Sequence, residues 1–171
     1  VEPAPQRERV LHAGVLGNPD HLSAMTPHGV LTVEGFHPEG KYDVAIWLAD
    51  GNEASTALLE RVRSGMPLLV LAQTAPGAAA AAKALADAGA FTCGGLAGES
   101  RGCWMGTWVF VKEHPAYRGL PTNQVMKWEY QVDFKDASGL LVDGPGVEVI
   151  AGFGRDHDTR IGSATFSARL Q

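Results

Sequence analysis

Short runs of apolar residues alternate with amphipathic stretches through the first half of the chain. Four of these runs predict β-strands: residues 10–17, 30–33, 42–49 and 67–72. The run at 42–49 is almost continuously apolar, which is typical of a strand that is covered on both faces. Strand and helix patterns that alternate at this short spacing predict a largely parallel sheet with helices on its faces.

The polar residues around these runs predict where helices begin and end. A helix is expected over residues 52–64, with Asn52 as its N-cap and Gly65 as the left-handed residue that ends it. A short helix is expected after the first strand, where the Asp20 carboxylate could accept the free amides of the first turn.

A further helix is expected after the fourth strand, and it is rich in alanine. Thr74 or Ala75 can cap its start, and Gly89 ends it. Thr74 is a weak candidate for a nucleophile, because the sequence places no histidine beside it to act as a base. We therefore interpret Thr74 as a helix cap.

The second half of the chain has a different pattern, in which apolar and polar residues alternate over short segments. Strands are predicted at residues 104–112, 125–134, 140–142, 147–153 and 161–170. The glycine-rich stretch 94–98 lacks the lysine and the glycine spacing of a phosphate loop, so it is interpreted as a flexible connection. The expected fold class is α/β: a mostly parallel, flavodoxin-like sheet flanked by helices, with an antiparallel extension from the second half.

The composition supports one globular domain. The chain has 171 residues, of which 45% are hydrophobic and 19% charged, and a domain takes about 150 residues. Residues 1–9 are polar and carry two prolines, so they are interpreted as a leader or linker before a domain at 10–171. The net charge of −5 argues against a nucleic-acid partner. No apolar run reaches the about 18–20 residues that span a bilayer, so no membrane partner is expected.

Cysteine and histidine give no sign of a disulfide framework, a metal or a cofactor. The two cysteines, Cys93 and Cys103, cannot form a disulfide scaffold. The six histidines do not fall into a metal-binding spacing. The compartment stays open, with a periplasmic or extracellular location favoured over a cytoplasmic one.

Two segments of the second half resemble a known family. Residues 114–121 read His-Pro-Ala-Tyr-Arg-Gly-Leu-Pro, and Trp128-Glu129-Tyr130 follows shortly after. These segments resemble class I glutamine-amidotransferase-like domains of the trehalose-utilisation (ThuA-like) type. A Trp-Met-Gly-Thr-Trp strand at 104–108 makes them similar to the version at the C-terminal end of some family 2 glycoside hydrolases, which are β-galactosidase-like. The resemblance covers residues 10–170. It implies a further strand and helix beyond 170, so the domain is expected to be truncated or part of a larger polypeptide.

The chain departs from this family where amidotransferase chemistry would take place. The family places a nucleophilic cysteine in a tight turn after the fourth strand, where this chain has Gln73 and Thr74. Cys93 and Cys103 come after the following helix, and the usual His-x-Glu pair is missing near the end. No catalytic residue is therefore assigned.

Candidate binding residues come from two arguments. Ligands of open α/β sheets gather at the carboxyl ends of the strands, here residues 17–20, 50–51 and 73–74. Aromatic side chains on the strands of the second half would suit a sugar ring or a partner surface, although core packing is the alternative. The candidates are Asp20, Gln73, Trp104, Trp108, His114, Trp128, Glu129 and Tyr130.

The resemblance implies a non-catalytic accessory domain of a carbohydrate-active enzyme, with a structural or substrate-access role. The two carboxylates that cleave the glycosidic bond would lie outside this chain. An alternative is a free-standing ThuA-like protein that binds or transforms a small sugar metabolite, and a third is a plain interaction domain. The expected partners are other domains of a larger polypeptide, a carbohydrate, or a second copy of the chain.

Overall fold

The computed structural model describes residues 9–23, 30–99, 107–125, 138–155 and 161–170. By its internal contacts the chain divides into two compact units, Val1–Gln73 and Thr74–Gln171. The first unit contains a parallel sheet and the second an antiparallel sheet.

The part of the first unit that the structure describes is built on four parallel strands in the order β2-β1-β3-β4. The strands are β1 (Leu11–Leu16), β2 (Leu31–Gly35), β3 (Val44–Leu48) and β4 (Leu68–Leu71), and the helices are α1 (Asp20–Ser23) and α2 (Thr56–Arg63). All four strands predicted from the apolar runs are confirmed, with bounds that differ by one or two residues.

One face of the parallel sheet forms the core of this unit. Val15 lies opposite Ile46 in the β1–β3 register, and both are buried together with Ala13 and with Leu22 of α1. Alternate residues point to opposite faces of a strand. Trp47, which is only 1% exposed, therefore belongs to the opposite face. The near-continuous apolar run of β3 is explained by burial on both faces.

The connection between β2 and β3 crosses β1 without a helix. It consists of residues 36–43, and its two ends are hydrogen-bonded to β1: the Phe36 amide donates to Val15 O (2.9 Å) and the Asp43 amide to His12 O (2.8 Å). Arg61 of α2 donates to the Gly40 carbonyl in this crossover (2.9 Å). A short crossover of this kind must run close to the backbone of β1.

Two predicted helix caps are wrong. Helix α2 is capped by Ser55, whose Oγ accepts from the Leu58 amide (3.1 Å), and not by Asn52. At α1 the capping oxygen is Asn18 Oδ1, which accepts from the Asp20 amide (3.0 Å). Asp20 is the first residue of α1, and it follows Pro19, whose fixed φ favours the start of a helix. The predicted end at Gly65 is confirmed by its φ of +99°.

The described residues of the second unit form one long helix and six strands in the order β5-β8-β10-β9-β6-β7, and the strand pairs are antiparallel. They are α3 (Ala75–Asp87), β5 (Thr92–Glu99), β6 (Thr107–Val111), β7 (Gln124–Val125), β8 (Ser138–Asp143), β9 (Glu148–Arg155) and β10 (Ile161–Ser167). Thr74 caps α3 as predicted, and Gly89 has a left-handed φ of +90° just beyond its end.

The α/β class is confirmed, but two details of the expected fold are wrong. The antiparallel strands are not an extension of the parallel sheet: among the described residues they pair with one another and form a separate, larger sheet. The stretch 94–98, expected as a flexible connection, lies within β5 and pairs with β8. Backbone hydrogen bonds to a neighbouring strand hold this segment, although its glycines contribute little strand propensity.

The antiparallel sheet has apolar clusters on two faces. On one face, Phe91, Leu140 and Phe166 pack with Ala82 of α3, and the two phenyl rings meet edge to face at 5.2 Å. Phe153 is fully buried on the other face in a cluster with Val109, Val111 and Ala151, against which Tyr117 packs.

Candidate functional site

The order of the parallel strands reverses between β1 and β3, because β2 lies on one side of β1 and β3 on the other. This is the switch point at which open α/β sheets bind ligands, outside the carboxyl ends of the strands. We call the polar residues that follow β1, β3 and β4 the switch-point rim. It consists of Asn18, Asp20, Asp50, Asn52 and Gln73.

Hydrogen bonds within the rim join the ends of β3 and β4. The Asp50 carboxylate accepts from the backbone amide of Gln73 at 2.6 Å. The Asn52 side-chain amide donates to the carbonyls of Leu48 (2.8 Å) and Asp50 (3.2 Å). The bond to Asp50 is charge-assisted, and hydrogen bonds of this type are shorter and stronger than neutral ones. The Asp50 carboxylate therefore joins the two strand ends, while the Asn52 side chain stabilises the turn that follows β3.

The end of β1 approaches the end of β3 closely at Gly17. An added Cβ would lie 2.9 Å from Leu48 Cβ and 3.2 Å from Asn52 Nδ2, and the φ of Gly17 is +124°. Only glycine satisfies both the conformation and the space. The chain can therefore turn directly from β1 into the Asn18 cap, and the exposed Asp20 follows at the edge of the rim.

The bend after β4 corresponds to the turn in which class I glutamine amidotransferases, the family that the chain resembles, carry the nucleophilic cysteine. Here Thr74 Oγ1 accepts from the Gly77 amide (3.1 Å) as the cap of α3, and the backbone amide of Gln73 donates to the Asp50 carboxylate. Cys93, a free and partly exposed thiol, lies in β5. Both residues of the bend thus take part in hydrogen bonds that shape the local backbone.

His114 lies in a compact loop between β6 and β7. Its Nδ1 accepts from the Ala116 amide (3.2 Å) and caps a 3₁₀ turn at Pro115–Tyr117. The Tyr117 hydroxyl lies 2.9 Å from Thr165 Oγ1 of β10. Asn123, at the other end of the loop, donates to the Glu113 carboxylate (3.1 Å). His114 therefore shapes the backbone of this loop.

The aromatic candidates are largely outside the described residues. Trp104, Trp128 and Tyr130 lie there, as does the neighbouring Glu129, so their grouping on a binding face stays a prediction. Trp108 is in β6, where its backbone is in register with Gly154 of β9. Cys103 is also outside the described residues.

Sequence reasoning placed Asn18 and Asp50 at the strand ends without naming them as candidates, and it missed Asn52 as a residue of the rim. The signal for Asn18 was present, because an asparagine followed by a proline after a strand favours a helix start. Asn52 was noticed, but as a helix cap. Its role in binding the Leu48 carbonyl depends on the turn after β3, which hydrophobic periodicity does not encode.

Within the described ranges, no group of three or more histidine, cysteine, aspartate and glutamate side chains is arranged to hold a metal ion. The helices of those ranges include none that is long and apolar enough to cross a membrane. A scan with protein-family models finds no match, and searches of curated proteins and of solved structures find none either. The resemblance to amidotransferase-like domains therefore depends on the sequence motifs.

Proposed function

We propose that the chain is a non-catalytic accessory domain of a carbohydrate-active enzyme that resembles the family 2 glycoside hydrolases. Its role would be structural or would shape substrate access. The observation that carries this proposal is the bend after β4. At the position of the family's nucleophile, Thr74 caps α3 and the backbone amide of Gln73 donates to the Asp50 carboxylate, so these groups stabilise the backbone.

The strand order supports the fold that the resemblance implies. The order β2-β1-β3-β4 agrees with the first four strands of the flavodoxin-like arrangement. The segment 114–121 supports the proposal in a second way. Its His114 cap and Tyr117 anchor give it a defined conformation, while Leu120 at its tip is 55% exposed. A preorganised surface loop suits a contact with another domain of the same polypeptide.

The second candidate is a free-standing ThuA-like protein that binds a small sugar at the switch-point rim. What favours it is the exposure of Asp20 and Gln73 beside the half-buried Asp50. Carboxylate and amide side chains provide the acceptors and donors that a polyhydroxylated ligand requires. This candidate differs from the first in requiring that the chain alone bind a sugar.

The reading frame on either side of the chain tests the accessory role. We expect the complete frame to encode a glycosidase catalytic domain with two carboxylates. In the full translation product, deletion of residues 10–171 is expected to lower the melting temperature or the activity on large substrates. A complete frame without such a domain, or a deletion that changes neither property, would refute the accessory role.

Assays on the purified chain separate the two candidates. The accessory role predicts no release of ammonia from glutamine, no hydrolysis of a nitrophenyl β-galactoside, and no change of melting temperature with galactose, glucose or trehalose. The second candidate predicts stabilisation by one sugar, of about 2.7 kcal/mol at a hundred times its dissociation constant. That stabilisation should be lost in Gln73→Ala and Asp20→Asn. It should persist in the control Asp87→Asn, an exposed position of α3.

A further inference from the structure

A recess lies on the antiparallel sheet of the second unit. It is a groove of about 630 Å³ that runs across β5, β8, β10 and β9, within the size range of small-molecule sites. Its lining includes Cys93, Val142, Asp143, Val149, Ile161 and Ser163. We call this recess the Ser163 groove.

Ser163 is buried in the middle strand of this region, with a relative exposure of 2%. Among the described residues, its hydroxyl has no hydrogen-bond partner. Buried hydroxyl groups are normally paired, because burial without a partner is costly. The hydroxyl of Ser163 therefore requires a polar atom in addition to those that the described part of the chain supplies.

The strand register places Ser163 on the same face of the sheet as the groove's apolar wall. Ser163 is opposite Leu140, and Val142, two residues further along β8, is opposite Cys93. Residues that are paired across strands, or two apart on one strand, share a face. This face carries the partly exposed thiol of Cys93 and the partly buried side chain of Val142, which line the groove and also pack against the apolar cluster of Phe91 and Leu140.

The remaining lining residues restrict the chemistry of a ligand. Val149 and Ile161 extend the apolar wall, and Ile161 is 50% exposed. Asp143 brings a carboxylate to the edge of the groove, where it accepts from the Gly144 amide (2.8 Å). An acidic edge, in a chain of net charge −5, disfavours an anion.

We propose that the Ser163 groove binds a small, uncharged, mostly apolar molecule through one carbonyl or hydroxyl group that pairs with Ser163. The apolar body of the ligand would cover Val142, Val149 and Ile161, and its polar atom would satisfy the buried hydroxyl. This site is separate from the sugar site considered for the switch-point rim, and it depends on neither candidate function.

Cys93 offers a reporter for the test, because its partly exposed thiol lines the groove. In a Cys103→Ser background, the rate of modification of Cys93 by a water-soluble maleimide is measured with increasing cyclohexanone. Saturating cyclohexanone should slow the modification at least about fivefold. In Ser163→Ala the concentration for half-maximal protection should rise about fivefold or more, as expected for the loss of one hydrogen bond.

Two further variants complete the test. Ser167→Ala changes an exposed serine of the same strand and should leave protection unchanged. Ile161→Glu puts a charge on the exposed apolar wall and should abolish protection while the melting temperature shows a folded protein. The proposal is overturned if cyclohexanone gives no protection up to its solubility limit. It is also overturned if cyclohexanone protects Cys93 in Ser163→Ala and Ile161→Glu to the same extent as in the parent protein.

Discussion

The ring of Tyr42 lies directly against the backbone of Gly14. An ideal Cβ on Gly14 would lie 2.6 Å from Tyr42 Cε2, closer than any real contact of this kind. The Tyr42 hydroxyl fixes the ring, because it accepts from the His37 amide (3.0 Å) and donates to the Gly35 carbonyl (3.2 Å). The crossover at 36–43 can pass over β1 only because β1 has no side chain at this position.

Gly14→Ala is therefore expected to destabilise the protein. The added methyl group must displace a ring that is held at its far end, and overpacking of this kind costs about 1–3 kcal/mol. The measurement is urea unfolding followed by circular dichroism. Gly35→Ala is the matched control, since a Cβ there would meet nothing within 4 Å. If both substitutions cost the same, the contact with Tyr42 is not the cause.

Ser55→Ala should weaken helix α2. The serine hydroxyl satisfies the Leu58 amide, and the loss of a serine N-cap costs about 1 kcal/mol. Ser64→Ala, at the other end of the same helix, is the comparison: its hydroxyl donates to the Glu60 carbonyl, and such back-bonding does not stabilise a helix. Thermal unfolding of the two variants should rank Ser55→Ala as the less stable. The reverse order would contradict the assignment of the cap.

Substitutions at Thr74 test whether its hydroxyl caps helix α3. Thr74→Ala should cost about 1 kcal/mol in the free energy of unfolding, and Thr74→Ser should restore most of it. The physical reason is the bond between Thr74 Oγ1 and the Gly77 amide. Chemical denaturation of the three proteins provides the comparison. Equal stability of the alanine and threonine proteins would show that the hydroxyl does not act as a cap.

The pair of Tyr117 and Thr165 anchors the loop between β6 and β7. Tyr117→Phe removes the hydroxyl that meets Thr165 Oγ1 at 2.9 Å, and should cost about 1 kcal/mol. A double-mutant cycle with Thr165→Val isolates the pair, and its interaction energy should be similar. Strict additivity of the two single changes would show that the hydrogen bond contributes nothing to stability.

The strands of the first unit could be predicted because each is a short apolar run between turn residues. Periodicity failed at β5, where Gly94 and Gly95 have almost no strand propensity. The segment is a strand because β8 supplies its hydrogen bonds, with Cys93 opposite Val142. This pairing joins residues about fifty positions apart, so local sequence does not contain it.

The candidate site was predictable in location and not in detail. The carboxyl ends of parallel strands meet at one edge of the sheet whatever their sequence, so Asp20 and Gln73 could be placed there in advance. The hydrogen bond from Gln73 to Asp50 depends on the backbone conformation of two turns. Likewise, Asn52 and Ser55 are both residue types that cap helices well. The side-chain amide of Asn52 donates instead to the Leu48 carbonyl, and sequence alone does not reveal this contact.

The outer position of β5 has a consequence for local unfolding. This strand forms one margin of the antiparallel sheet, and its register with β8 shifts twice, between Cys93 and Leu96 and between Leu96 and Glu99. Glycine-rich strands with irregular pairing are held weakly. Deuterium should therefore enter the amides of β5 well before those of β9, which is flanked by strands on both sides. This margin is where the second unit is expected to begin to fray.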